Sequence, residues 1–490
     1  MKKRTRNILI AIFLITLTIR LVLAFTIPNL TYDSYFHLRQ VEQITEHGFP
    51  AYQDDLSYGG RELGFLPFFH YFMALFNLIL PLTLIAKILP NILLSTLTIT
   101  VFFISKKITN EDNSSLFSAG IVSFLPILFL TNHFAPITLF LPLLFLNIYA
   151  FMNLKQPNQL YLYLTSFLLL SFTSPATFLL IMGFGIYLLL SYTEGKRNKR
   201  EEIELILFSL FFFIWIQFIF FKNLFLDKGI SFIWQNIPAK IITEYFPQLT
   251  ILDALIAVSI IPFLIGIYVV YRSLFQLKNQ KSFLLISFAI STTLLTWFKL
   301  IEFQLALSFF GIILAILFAL FYQESITYLK STKMPSLKNP LIITLIILLL
   351  LTTVYPALTT ALQQQTPLND EVAAFQWLKE NTLEDSTVLA LLEEGHLITY
   401  YGEKRNVMDN RFGLLDDIDE RFEAITSLYK TSFQTQALRL TDQYKIKYLT
   451  LTPTAREKYE LERFNYLTEE CFELVHNQGT KIYKINCALT

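Results

Sequence analysis

Charge is what this chain has least of: 16% of its 490 residues are Asp, Glu, Lys or Arg, where soluble domains carry about 25%. With 54% hydrophobic residues and a mean hydropathy of +0.50, the shortfall excludes an ordinary soluble enzyme. Cysteine is nearly absent, so a disulfide scaffold is excluded and Cys471 and Cys487 leave room for one bridge near the C-terminus. The 15 glycines and 18 prolines are too few for a collagen-like or low-complexity chain. A net charge of +1 gives no reason to expect nucleic acid as a partner. No Walker loop, dinucleotide glycine fingerprint, His-Glu-x-x-His or Cys pair at metal spacing occurs.

What charge there is divides unevenly. Residues 361–490 hold 21 acids and 14 bases, the density of a water-soluble domain, and residues 1–360 hold 17 acids and 25 bases. The chain therefore reads as a membrane region, 1–360, followed by a soluble domain, 361–490, of mixed α/β pattern. A bilayer core needs roughly 20 apolar residues per helix. Twelve such runs occur, near 8–27, 66–82, 86–105, 116–131, 134–152, 159–173, 175–192, 203–222, 251–271, 282–298, 303–322 and 340–358.

Basic clusters at the N-terminus, Lys106–Lys107, Lys155, Lys196–Arg200, Arg272–Lys281 and Lys330–Lys338 set the orientation. All six fall in the cytoplasm if the 66–82 run lies in the outer interface instead of crossing. The expectation is a polytopic helical membrane protein of about eleven spans, N-terminus cytoplasmic and C-terminal domain extracytoplasmic. A first outer loop at about 28–85, a later one at about 223–250, short turns near 131–136 and 299–302, and the C-terminal domain then share one side.

The first loop carries Thr31-Tyr32-Asp33-Ser34-Tyr35-Phe36-His37-Leu38-Arg39 directly after the first run. Asp33 suits both an N-cap of the helix that follows and an acid held at head-group height. Gly59-Gly60-Arg61 suggests a path for a donor phosphate, since glycines let amides approach an anion and Arg binds phosphate bidentately.

The Asp33–Arg39 pattern, followed by Gly64-Phe65-Leu66-Pro67, resembles the first outer loop of the GT-C membrane glycosyltransferases, and among them the archaeal relatives of the catalytic subunit of oligosaccharyltransferase. In the C-terminal domain, Ala374 to Asn381 and then Glu394-Gly395-His396 are similar to the start of that family's extracytoplasmic domain. There an acceptor-recognising Trp-Trp-Asp-Tyr-Gly stands where this chain has Leu391-Leu392-Glu393-Glu394-Gly395. Ile242-Thr243-Glu244-Tyr245-Phe246-Pro247 is similar to the family's loop motif whose glutamate approaches the metal and acceptor.

The resemblance implies transfer of a sugar or oligosaccharide from a polyprenyl phosphate or pyrophosphate to a protein or glycan acceptor. It implies Asp33 and Glu244 as catalytic residues and as ligands of a divalent cation, Mn or Mg; His133, by its own chemistry, offers that cation a nitrogen, which suits Mn better than Mg. It further implies His37, Arg39, Arg61, Lys299, Glu394 and His396 as substrate-binding residues. Two departures bear on mechanism. The family's second outer turn carries a carboxylate pair, but Thr131-Asn132-His133-Phe134-Ala135-Pro136 has none; and Glu302 stands where a donor-binding Arg is expected. A non-catalytic scaffold of the same fold and a lipid or solute transporter are the alternatives, the second opposed by the scarcity of acids inside the spans.

Overall fold

The structure, a computed structural model, describes residues 1–196, 199–229, 233, 237–245, 250–277, 280–332 and 338–488. Parts of three basic clusters and of the 223–250 loop, including Phe246 and Pro247, lie outside the described residues.

The membrane part is helical: α1 (Lys3–Thr26), α2 (Ser34–His47), α3 (Phe68–Asn77), α4 (Leu82–Ser95), α5 (Leu97–Thr109), α6 (Asp112–Ser123), α7 (Ile137–Met152), α8 (Gln159–Thr173) and α9 (Phe178–Thr193) come first. Then follow α10 (Arg200–Lys228), α11 (Ala239–Glu244), α12 (Ile251–Val258), α13 (Ile260–Arg272), α14 (Gln280–Trp297), α15 (Phe303–Ser331), α16 (Lys338–Leu349) and α17 (Tyr355–Leu362). Among the described residues six helices are long and apolar enough to cross a bilayer, or seven if α12 and α13, bent by 87°, form one span. The protein is therefore a polytopic helical membrane protein.

Helix α15 runs through the centre, buried along most of its length against α6, α13 and α14. Phe140, Phe145, Phe184, Phe288 and Phe309 fill the core around it. The 66–82 run forms only the ten-residue α3, about 15 Å long at 1.5 Å per residue and half of a bilayer core. It buries Phe69, His70 and Met73 while leaving Leu75, Leu78 and Ile79 exposed, the division expected of a helix lying in an interface.

The first loop adds a short hairpin, β1 (Gln53–Asp54) with β2 (Arg61–Glu62). Gly59 and Gly60, with φ of +81° and +72°, are needed there for the left-handed turn between the strands. In the C-terminal domain α18 (Asn369–Asn381) leads to β3 (Thr387–Leu389), the one-turn α19 (Gly395–Leu397) and β4 (Arg405–Asn406). Helices α20 (Ile418–Lys430) and α21 (Gln434–Gln443), strand β5 (Ile446–Leu451), helix α22 (Pro453–Tyr459), and strands β6 (Phe472–Gln478) and β7 (Thr480–Ile485) complete it.

The sheet order is β4-β3-β5-β7-β6, with β4, β3 and β5 parallel and the β7–β6 hairpin antiparallel. A Cys471–Cys487 disulfide closes the hairpin's open end. A shared apolar cluster of Tyr35, Leu38, Phe69 and Met73 with Phe375, Leu397, Ile398 and Ile482 ties this domain to α2 and α3. That burial fixes one edge of the sheet over the first outer loop.

Candidate active site

The site begins where α1 ends. Arg20, buried in α1, donates to Asn91 Oδ1 (3.1 Å) and to the Leu128 carbonyl (2.7 Å), and Asn91 Nδ2 donates to the Thr131 carbonyl (2.8 Å). Two of its nitrogens are thereby paired and its guanidinium carbon lies 4.8 Å from the centre of the Phe129 ring, and the chain of bonds pins the 131–136 turn. Asn132 Nδ2 in turn donates to the carbonyls of Ile27 and Asn29, and Ser34 Oγ accepts from Phe134 N (2.9 Å). The two outer segments are thus stitched together, with Asp33 at the seam.

Asp33 stands at the N-cap position of α2 but has helical dihedrals and caps nothing with its side chain. This removes the capping reading and leaves the carboxylate for other partners. Its Oδ1 accepts from Asn410 Nδ2 at 3.0 Å, and Oδ2 lies 3.7 Å from His37 Nε2. The side chain is 34% exposed, so water reaches it. Burial pushes its pKa up, but the His37 hydrogen bond and the charges of His37, Arg411 and His133 hold it well below the usual carboxylate range.

His37 is buried, bonded through Nδ1 to His70 Nε2 (2.9 Å), and driven by burial down to about 4 against the pull of Asp33. Burial also lowers His133 and His396, against the pull of Asp33 on both and of Asp409 on His396. His133 shares a hydrogen bond with Thr31 through Nδ1 (3.1 Å), and its charge couples to Asp33.

The other wall comes from the C-terminal domain. After β4 the chain runs Val407-Met408-Asp409-Asn410-Arg411. Asn410 bridges Asp33 and His396 Nε2 (2.6 Å). Arg411 lays its guanidinium over the Phe36 ring, 3.6 Å from the centroid. Across from it, the turn between α14 and α15 presents Glu302, its pKa raised by desolvation and by the Asp33 charge against the opposing Arg411. Tyr245 also faces this space: burial and the charges of Glu393, Asp33 and Asp409 raise its hydroxyl.

Several expected residues sit elsewhere. Arg61 is fully engaged, donating to Asp54 Oδ2 (2.9 Å) and to both oxygens of Asp409 (2.8 and 2.5 Å), with 2% exposure; it is a clasp that holds the Asp409 segment and has no donor left for a phosphate. Arg39 pairs with Asp54 (2.8 Å). Lys299 is exposed in the turn beside Glu302, in a left-handed conformation. Glu244 pairs with Lys430 at 3.7 Å, away from Asp33's partners. Glu394 is fully buried, accepting from Thr452 Oγ1 and Leu391 N, and His396 is buried against Asn410, so neither is open to a substrate.

The donor set does not suit a divalent cation. Asp33's oxygens face Asn410 and His37, Glu244 is paired with a lysine, and His133 spends one ring nitrogen on Thr31. Among the described residues no three of His, Cys, Asp or Glu converge as a metal site would require. The Arg411 guanidinium adds its positive charge to the field at Asp33.

No family model matches the sequence, and no curated protein matches it. Solved structures do. The oligosaccharyltransferase of Archaeoglobus fulgidus, in its apo form, superposes with a TM-score of 0.71 at 12% identity, covering 92% of this chain and 70% of that one. This is the GT-C fold. The same archaeal enzyme in complex with an inhibitory peptide and a dolichol-phosphate gives 0.64 at 14% identity, covering 89% and 69%. ArnT from Cupriavidus metallidurans bound to undecaprenyl phosphate gives 0.56 at 9% identity, covering 100% and 99%. At these identities the likeness establishes the GT-C architecture, and function rests on the site.

The residues that sequence reasoning missed are Asp409, Asn410 and Arg411. One signal was available: an acid–amide–cation triplet directly after a strand, at the carboxyl edge of parallel strands where α/β sheets place their ligand sites.

Proposed function

We propose that the chain is a membrane glycosyltransferase. It moves a sugar or oligosaccharide from a polyprenyl phosphate or pyrophosphate to an acceptor, a protein first, at the extracytoplasmic face. The observation that carries this reading is the water-reached Asp33 carboxylate, kept ionised and aimed by Asn410, beside the guanidinium of Arg411. The GT-C fold, and neighbours solved with lipid phosphates, support the donor class.

Asp33 serves as general base. An acceptor N–H or O–H hydrogen-bonds to Asp33; its lone pair forms the bond to the sugar's anomeric carbon while the carbon–oxygen bond to phosphate breaks, and that electron pair leaves with the phosphate. The proton passes to Asp33 late, once bond formation has made the acceptor acidic, which suits a carboxylate of low pKa.

We also propose the boundary near residue 360, about eleven spans and the N-terminus in the cytoplasm. The basic clusters support the orientation, and so does the Cys471–Cys487 bridge, because disulfides persist in oxidising compartments.

The test is Asp33→Asn in the full chain with a lipid-linked sugar and an acceptor peptide. Transfer should fall roughly 100-fold or more with melting unchanged; full activity would overturn the assignment. The carboxylate-free second outer turn favours a second reading, a non-catalytic scaffold, under which the parent chain also fails to transfer from any donor.

A further inference from the structure

Arg411 is unusual in having nothing to hold. Its Nε is buried without a hydrogen-bond partner, and among the described residues no acceptor takes either terminal nitrogen. A guanidinium carries five donors, and buried polar groups left unpaired are costly. The surrounding structure nonetheless fixes it. Its backbone N–H donates to Asp409 Oδ1 (2.9 Å), its carbonyl accepts from Arg61 Nη1 (3.4 Å), and its guanidinium carbon sits 3.6 Å over the centre of the Phe36 ring. An open, preorganised fork of this kind fits two oxygens of one phosphate.

The charge around it is close to balance. Arg39, Arg61 and Arg411 face Asp33, Asp54 and Asp409, three cations against three anions, with Arg39 and Arg61 spent on Asp54 and Asp409. Glu302, the remaining acid, has its pKa raised by desolvation and by the Asp33 charge, with Arg411 opposing.

We propose that Arg411 is the ligand of the lipid donor's phosphate, so that the C-terminal domain completes the donor site of the membrane domain. This rests on the glycosyltransferase reading and names the residue that takes the leaving group. The shared chemistry is a phosphate group.

The experiment measures the affinity of the purified full chain in nanodiscs for two probes, undecaprenyl phosphate in the bilayer and inorganic pyrophosphate in solution. It compares the parent with Arg411→Ala, Arg411→Lys and, as a control for net charge, the exposed Arg439→Ala. Arg411→Ala should weaken lipid binding at least about 10-fold, Arg411→Lys by less because it keeps the charge but loses the fork, and Arg439→Ala not at all. The Lys variant, which keeps a stem over Phe36, covers the case in which the Ala variant does not fold.

Equal lipid affinity in the parent and both Arg411 variants would overturn the role of Arg411 and leave glycosyl transfer standing. Arg411-dependent binding of pyrophosphate alone would keep Arg411 as a phosphate ligand but remove the lipid. A parent that binds neither probe overturns both readings.

Discussion

Arg61→Met separates a clasp from a phosphate ligand. Arg61 bridges Asp54 and Asp409, and all three side chains are at most 2% exposed. Removing the guanidinium leaves Asp54 with Arg39, but Asp409 keeps only Asn406 Nδ2 (3.1 Å), the Arg411 N–H and a histidine nitrogen 3.8 Å away. Breaking a buried pair from one side costs about 3–5 kcal/mol, because a charge stays buried without its partner. At roughly 1 °C per kcal/mol for a chain of this length, the melting temperature in detergent should fall by roughly 3–5 °C.

The pH dependence of that loss has a defined sign. Burial raises Asp409 and Arg61 lowers it, with a net shift below the ordinary value. Without Arg61 the burial effect remains, so the variant should recover part of its stability at pH 5, where a raised Asp409 takes up a proton. Arg61→Met with Asp409→Leu should cost less than the sum of the single changes, since an apolar pair can fill the space of an ionic one. An Arg61→Met protein that melts with the parent and loses only phosphate affinity would refute the clasp and restore the role suggested by Gly59-Gly60-Arg61.

Two further outcomes are expected. Gly395→Ala would put a Cβ 2.5 Å from Asp409 Cβ and 2.8 Å from the Met408 carbonyl; moving that backbone costs about 1–3 kcal/mol, and it carries Asn410 and Arg411 with it. Transfer should therefore fall further than melting accounts for, and full activity would show that the 407–411 segment is not needed. His37, lowered by burial from 6.5 to about 4, contributes stability that is complete above pH 6.5 and is lost as pH falls towards 4, roughly 3 kcal/mol in all. Melting at pH 7.5 and 4.5 should differ accordingly, His37→Gln should flatten the slope, and equal melting of the parent at both values would count against it.

The helical membrane character could be read from the sequence because apolar length is a one-dimensional property, and the 66–82 run, set apart by charge placement, forms only the ten-residue α3. Breaks inside apolar runs were not legible. The 251–271 run is bent at Ser259, whose hydroxyl is held by Thr353. The 116–131 run leaves helix after Ser123 for a short 3-10 turn at Pro126–Leu128. Neither bend changes composition.

In the C-terminal domain the sequence pattern places helices at Glu371–Asn381, Asp417–Lys430 and Gln434–Tyr444, and the helices found are α18, α20 and α21. It places strands at Thr387–Leu392, Lys447–Thr452 and Lys481–Ile485, where β3, β5 and β7 form, and none at β6: Phe-Glu-Leu-Val-His-Asn-Gln has little apolar alternation and joins the sheet only by pairing with β7 at its edge.

The site was harder to read for a different reason. Asp33 and Asn410 are 377 residues apart, and dividing the chain by charge assigned them to separate domains. Counted over the whole chain there are 25 bases against 17 acids before residue 361 and 14 against 21 after it. At the site the signs are reversed. The basic membrane part contributes Asp33 and Glu302, and the acidic domain sends in Arg411 on the loop after β4.

Net charge describes the surfaces that meet water, where most charges stand, and says nothing about the few that face each other across a seam. What aims those few is the carboxyl edge of β3, β4 and β5, from which Glu394, Asp409 to Arg411 and Thr452 all emerge. Because that edge is docked on α2 through Tyr35, Leu397 and Ile398, acid and guanidinium form one site only when both parts of the chain are folded together.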